Sequence, residues 1–226
     1  MLLRAARSKV PARFSTPAAA SLLSRFSTAA AAEEATGTAA AGDALFNPTE
    51  EHRQLRGLVA SFTAAEVEPQ ALEYNREERF NMDLFKRCGE LGLLGVTVDP
   101  EYGGSGMDAT AACIVHEELA ASDPAFCLSY LAHSQLFVNN LAQNGSHEQK
   151  LAYLPGACDG SLIGGMGMSE PAAGTDVLGM ATKAEKLADG SWKLSGGKMW
   201  ITNGAVNDTT LGDCFLVYAV CATTNT

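Results

Sequence analysis

Apolar positions recur at helical spacing through roughly the first two thirds of the chain, then give way to short runs bounded by turns. Asn47-Pro48-Thr49-Glu50 predicts a helix start, with Asn47 as N-cap, Pro48 at the first helical position and Glu50 three residues after the cap. Leu55, Leu58, Val59 and Phe62 then share one face. A second helix is predicted over 82–94, with Leu84, Phe85, Cys88 and Leu91 on its apolar side and Gly89, Gly92 and Gly95 weakening its end. Residues 98–106, with Pro100, Gly103, Gly104 and Gly106, read as a loop. Further helices fit 109–121 and 125–143, and a shorter one 146–154. After Ile163 the runs Ser191-Trp192-Lys193-Leu194, Trp200-Ile201-Thr202 and Phe215-Leu216-Val217-Tyr218-Ala219-Val220 read as strands, and Asp189-Gly190 as a hairpin turn. The change of period places a domain boundary near Leu162, with no internal repeat.

Charge separates the N-terminus from this body. The first 32 residues carry Arg4, Arg7, Lys9, Arg13 and Arg25 and no acid, interleaved with Ala, Leu, Ser and Phe. That pattern reads as a mitochondrial transit peptide, a basic amphipathic helix drawn inward by a negative-inside potential, and predicts a matrix location. Residues 33–44 read as a linker. Of the 16 basic residues 11 remain against 26 acids, a balance of −15 that repels phosphate backbones, so no nucleic-acid partner is expected. No apolar run reaches the roughly 18–20 residues of a membrane span, so none is expected. The six cysteines show no CxxC pair and read as reduced thiols.

Two stretches could carry chemistry. Residues 164–179 are rich in Gly, Ser, Thr and Asp where helix gives way to strand; exposed N–H groups there could cradle a polar ring or a phosphate, or the stretch is simply an interdomain turn. Neither a dinucleotide fingerprint nor a GxxxxGK[ST] loop occurs, and Ser169 lacks the glycine of a nucleophile elbow. In the second, Lys198-Met199-Trp200-Ile201-Thr202-Asn203-Gly204, an indole and a hydroxyl lie close together, as a flat aromatic cofactor would require or as a packed strand would present. His52, His116, His133 and His147 show no metal or catalytic spacing and read as structural. Glu170 and Asp176 read as loop-capping acids.

Taken in order, Gly167-Met168-Ser169-Glu170-Pro171-Ala172-Ala173-Gly174-Thr175-Asp176 and the run from Lys198 to Gly204 resemble the two flavin motifs of the acyl-CoA dehydrogenase family. Asp99-Pro100-Glu101-Tyr102-Gly103-Gly104-Ser105-Gly106 and Leu128-Ser129-Tyr130-Leu131-Ala132-His133-Ser134 extend the resemblance over nearly the whole body. The latter, with Asn144-Gly145 and Tyr153-Leu154-Pro155, is most similar to the branch that oxidises isovaleryl-CoA to 3-methylcrotonyl-CoA in leucine catabolism. The resemblance implies a multidomain α and β fold: an all-α N-terminal helical domain over 45–162, then the first part of an antiparallel β-barrel or sandwich middle domain over 163–226. The C-terminal four-helix domain is expected to be absent.

The resemblance also implies FAD, with Met166, Gly167, Met168, Ser169, Gly174, Thr175, Trp200, Ile201 and Thr202 as cofactor-binding residues. Met168, Ser169 and Thr202 would bond the ring edge, Thr202 near N5; Trp200 would pack by the ring; Thr175 would contact flavin phosphate or the CoA of the substrate. A carboxylate would take the α-proton of the acyl-CoA while the β-hydrogen leaves as hydride. That Glu lies beyond Thr226 in the family pattern, so no catalytic residue is assigned, and this polypeptide alone is expected to be inactive. Implied partners are the acyl-CoA substrate, electron-transfer flavoprotein and, for a complete family member, a homotetramer. Open alternatives are another short-chain acyl-CoA dehydrogenase, an acyl-CoA oxidase or glutaryl-CoA-type relative, and a non-enzymatic shortened paralogue serving as a binding module.

Overall fold

The computed structural model describes residues 2–4 and 43–221, with side chains from 45 onward. The expected transit peptide and linker lie almost wholly outside the described residues. Of the former only β1 (Leu2–Arg4) is described, and it is extended rather than helical. The short α1 (Asp43–Phe46) opens the body.

A helical half follows, and its helices begin where a side-chain oxygen takes up free N–H groups. In α2 (Glu50–Phe62) the cap is Thr49, accepting from His52 N, rather than the predicted Asn47. Asn47 is committed elsewhere, its Oδ1 accepting from Arg56 Nε at 2.8 Å. Leu55, Val59 and Phe62 are buried as the period requires, with Leu58 only half-buried. A wide π-type turn, Thr63–Val67, leads into α3 (Glu68–Arg76), which the apolar pattern does not predict. The predicted helix over 82–94 is α4 (Met82–Glu90), capped by Asn81 and ended early because Gly92 adopts φ +71°, with Leu93 N donating back to Cys88 O. One 3₁₀ turn, Pro100–Tyr102, lies inside the predicted loop.

Asp108 caps α5 (Ala109–Ser122) and also accepts from His52 Nε2 at 2.9 Å, tying the starts of α2 and α5 together. Asp123 caps α6 (Pro124–Leu131), which runs on through a π-type stretch, Ala132–Asn139, into α7 (Asn140–Asn144) as one rod. A reciprocal Ser146/Gln149 capping box starts α8 (His147–Cys158). One buried cluster joins Leu55, Val59, Phe85, Ile114, Leu119 and Tyr130. Each such side chain contributes roughly 1.5–3 kcal/mol by leaving water. A second cluster joins Phe137, Val138, Leu141, Leu154 and Ala157 to Cys214 of the β half.

That half contains β2 (Gly164–Gly167), β3 (Lys183–Lys186), β4 (Trp192–Ser195), β5 (Ala205–Asn207), β6 (Thr210–Leu211), β7 (Cys214–Val217) and β8 (Val220–Cys221). The sheet orders are β1-β7-β2, β4-β3-β8 and β5-β6. The antiparallel hairpin expected at Asp189-Gly190 is present, β3 with β4 around Gly190 at φ +85°, and a second one not predicted joins β5 with β6. Long connections add two parallel pairings, β2 with β7 and β3 with β8. Two strand expectations are corrected. Trp200-Ile201-Thr202 is a loop, bent by positive φ at Trp200 (+56°) and Asn203 (+64°). The run from Phe215 to Val220 is broken after Val217, because Tyr218 N donates to Gly167 O in one sheet while Val220 N donates to Thr182 O in the other.

The halves meet at Gly164. Its N–H donates to His133 Nδ1 at 2.9 Å, its carbonyl accepts from Asn203 Nδ2 at 3.1 Å, and a Cβ there would lie 2.0 Å from the Phe137 ring. His133 is fully buried, and its Nε2 donates to Ala157 O at 2.9 Å. Burial pushes its imidazole down to about 4 from an ordinary 6.5. The unfolded chain therefore takes up a proton that the fold refuses. Stability from this group is full above about pH 6.5 and falls by roughly 3 kcal/mol as the pH drops to about 4. Urea denaturation across that range should show the decline, and a His133→Asn variant should lack that component.

Candidate flavin-edge site

The signature begins in β2 and leaves the sheet at Met168. Parallel pairing sets Gly165 against Phe215, Met166 against Leu216 and Gly167 against Val217. Beyond the strand the chain makes a tight turn closed by Glu170 and Ala173, each bonding the other's backbone. Asp176 then caps a 3₁₀ turn, Val177–Gly179, its Oδ1 accepting from Gly179 N at 3.2 Å. Both acids of the signature thus cap backbone, as their loop position suggests.

The second run is laced to the first along its length. Met199 N donates to Ser169 O at 2.9 Å, and Lys198 Nζ donates to Met168 O at 2.9 Å and to Glu170 Oε1 at 2.7 Å. Thr202 passes so close to the strand that a Cβ on Gly165 would lie 2.8 Å from the Thr202 carbonyl oxygen. Met166–Ser169 and Lys198–Thr202, some 30 residues apart in sequence, therefore form one surface. Met166, Met168, Ser169, Ile201 and Thr202 are half-buried there and Gly167 is buried. Gly174 and Thr175 stand apart, exposed on the turn, with open space around Gly174.

Two features of this surface point outward. Trp200 is 79% exposed although its positive φ is a conformation that bulky residues rarely adopt. Among the described residues, neither the Ser169 nor the Thr202 hydroxyl has a hydrogen-bond partner. A largely exposed indole beside two half-buried hydroxyls suits a flat ring with a polar edge.

Sequence reasoning names the residues that would touch such a ring and misses those that hold them. Glu170 is nearly buried, with Lys198 as its ion-pair partner and Ala181 N and Thr182 N as further donors at 2.6 and 3.0 Å. The Lys198 ammonium first, then these two N–H groups, pull its carboxyl down to about 2. The visible signal is an acid and a lysine, one in each motif. His133 and Asn203 belong to the same supporting layer.

A depressed carboxylate stabilises the fold above its ordinary pKa of 4.5, and that contribution is lost as pH falls toward about 2. Replacing Lys198 by Met removes the largest cause. The Glu170 midpoint, followed by carboxyl carbon NMR, should move up by about one pH unit or more. An unchanged midpoint would show that the backbone donors alone hold the charge.

Comparison with known proteins fits this geometry. Residues 49–161 match the family model described as acyl-CoA dehydrogenase, N-terminal domain, and residues 165–225 match the one described as acyl-CoA dehydrogenase, middle domain. The mitochondrial isovaleryl-CoA dehydrogenase of Pongo abelii is 42% identical over 179 residues, covering 78% of this chain and 41% of that protein. Its counterpart in Solanum tuberosum is 41% identical over 167 residues, covering 73% and 40%. Among solved structures, an acyl-CoA dehydrogenase complexed with FAD from Bacillus anthracis aligns at TM-score 0.69 and 34% identity, over 76% of this chain and 29% of that one. The chain thus spans about two fifths of the length of the curated relatives it matches. With both family models matched in order, and the two laced segments falling within the second, the chain belongs to the acyl-CoA dehydrogenase family.

Proposed function

We propose that this chain provides the flavin-edge half of an FAD-dependent acyl-CoA dehydrogenase acting on a short branched thioester, isovaleryl-CoA. The observation that carries the reading is the lacing of Met166–Ser169 to Lys198–Thr202, which sets two unpartnered hydroxyls and an exposed indole on one surface. Met168, Ser169 and Thr202 would hold the polar edge of the isoalloxazine, Trp200 would pack against the ring, and Thr175 on the exposed turn would contact a phosphate of the flavin or of CoA. FAD supplies, when bound, a site that accepts hydride.

The rest falls to the chain's own groups. The backbone of β2 and the Trp200–Thr202 loop would orient the ring and exclude water from one side of it. Neither nearby acid takes the α-proton, since Glu170 is held ionised to about pH 2 by three donors and Asp176 caps its own turn. A carboxylate so well satisfied is a weak base. The identity to mitochondrial isovaleryl-CoA dehydrogenases supports the branched substrate and a mitochondrial location. Electron-transfer flavoprotein as acceptor and a homotetrameric assembly are part of the same proposal, carried by the family resemblance of the two motifs.

Titration of FAD fluorescence into the purified chain tests the reading. Saturable quenching is expected, and Thr202→Ala should weaken binding about 2- to 10-fold, the worth of one hydrogen bond. Adding isovaleryl-CoA without oxygen should leave the oxidised-flavin absorbance in place. Bleaching would show that a base is present after all, and absence of quenching would overturn the flavin assignment.

A further inference from the structure

The residues that touch the proposed ring seat do not explain why it has the geometry it has. Gly164 does, because it stands three residues before Gly167 in β2, about 10 Å along an extended strand. Nearly every freedom of Gly164 is removed by His133 and Phe137 of the helical half together with Asn203 of the β half. Its N–H is held by His133, its carbonyl by Asn203, and its Cα faces the Phe137 ring with no room for a methyl group. His133 sits in the π-type stretch Ala132–Asn139. Such widened turns recur where a helix serves a site.

The imidazole has a defined tautomer. Nδ1 accepts from a backbone N–H, so the proton is on Nε2, which donates to Ala157 O in α8. The ring packs edge-on to Phe85 at 4.9 Å, and no water-facing edge remains, His133 being 0% exposed. From the other side Asn203 follows Thr202 directly, and its amide reaches both Ser129 O at 3.0 Å and Gly164 O. One rod of the helical half thus anchors both sides of the site: through His133 it holds β2, and so the turn at Met168 and Ser169 that follows it, and through Ser129 O it holds the loop that bears Thr202.

We propose that His133 is a positioning residue of the flavin site: through Nδ1 it fixes Gly164, and through Gly164 it sets where the backbone of β2 meets the ring edge. The inference rests on the flavin reading above and adds a cause for the site's alignment that lies in the helical half.

Two substitutions separate this role from simple packing. In His133→Asn the amide oxygen can take the place of Nδ1 and keep the bond to Gly164, while the contact with Ala157 is lost. In His133→Gln the amide nitrogen can take the place of Nε2 and keep Ala157, while Gly164 is released. Both should melt below wild type. FAD affinity, however, should stay within about 3-fold of wild type in H133N and fall about 10-fold or more in H133Q, the loss of a hydrogen bond that sets geometry. Hydrogen exchange at the Gly164 amide, read without flavin, should quicken in H133Q and not in H133N.

Equal weakening of FAD binding in both variants, in step with their melting temperatures, overturns the proposal. So does an H133Q that binds FAD as wild type does. If H133Q does not fold, Asn203→Asp, which loses the donor to Gly164 from the other side, should weaken FAD binding by a similar factor, and unchanged affinity there overturns the anchor. A wild-type chain that binds no FAD overturns the flavin reading. That result is distinguishable from failure of the clamp, which the Gly164 exchange rate reports independently.

Discussion

The structure depends on satisfying one backbone unit at the boundary between its halves. A residue that leaves a helical layer to enter a sheet has an N–H and a C=O with no regular partner, and burying either unpaired costs about 1–3 kcal/mol. Here the unit is Gly164, and two side chains take the place of a ladder. His133 can do so because burial keeps it neutral; a charged imidazole would have no acceptor to offer. Phe137 closes the remaining space, so packing and hydrogen bonding specify the same position twice.

Sequence showed the parts that follow from period and composition. Leu55, Val59 and Phe62 announce α2, Leu84, Phe85 and Cys88 announce α4, and Asp189-Gly190 announces the β3–β4 turn. What it missed has physical reasons. No residue of α3 is buried, so that helix carries no apolar stripe to read. Asn47 and Thr49 are both competent caps, and only the distant Arg56 decides between them by occupying Asn47. Trp200-Ile201-Thr202 has the composition of a strand, yet Asn203 must turn back to reach Ser129 and Gly164, and that long-range bond outweighs local preference. The family motifs single out the residues proposed to touch the ring, whereas the clamp beneath them joins positions 31 and 39 residues apart.

The ion pair between Glu170 and Lys198 shows a second kind of economy. Lys198 could have served as a cation for a phosphate, but its side chain is only 10% exposed and its ammonium is shared between Glu170 and Met168 O. Its role is to cross-link the motifs. A charge on each side makes the closure specific, since a shift in the register of either segment would leave one of them buried without a partner. Hydroxyls, which lose less when left open to solvent, remain free for a ligand.

The rod formed by α6, the π-type stretch and α7 serves two cores. Phe126, Cys127 and Tyr130 face the helical cluster, whereas Phe137, Val138 and Leu141 face the cluster that includes Cys214. A straight α-helix keeps one azimuth toward one neighbour. Widening the turn over Ala132–Asn139 acts as a phase shift, rotating the apolar stripe about the rod axis between its first and last segments. His133 lies inside that shift, so its angle toward Gly164 is set by how far the helix has unwound.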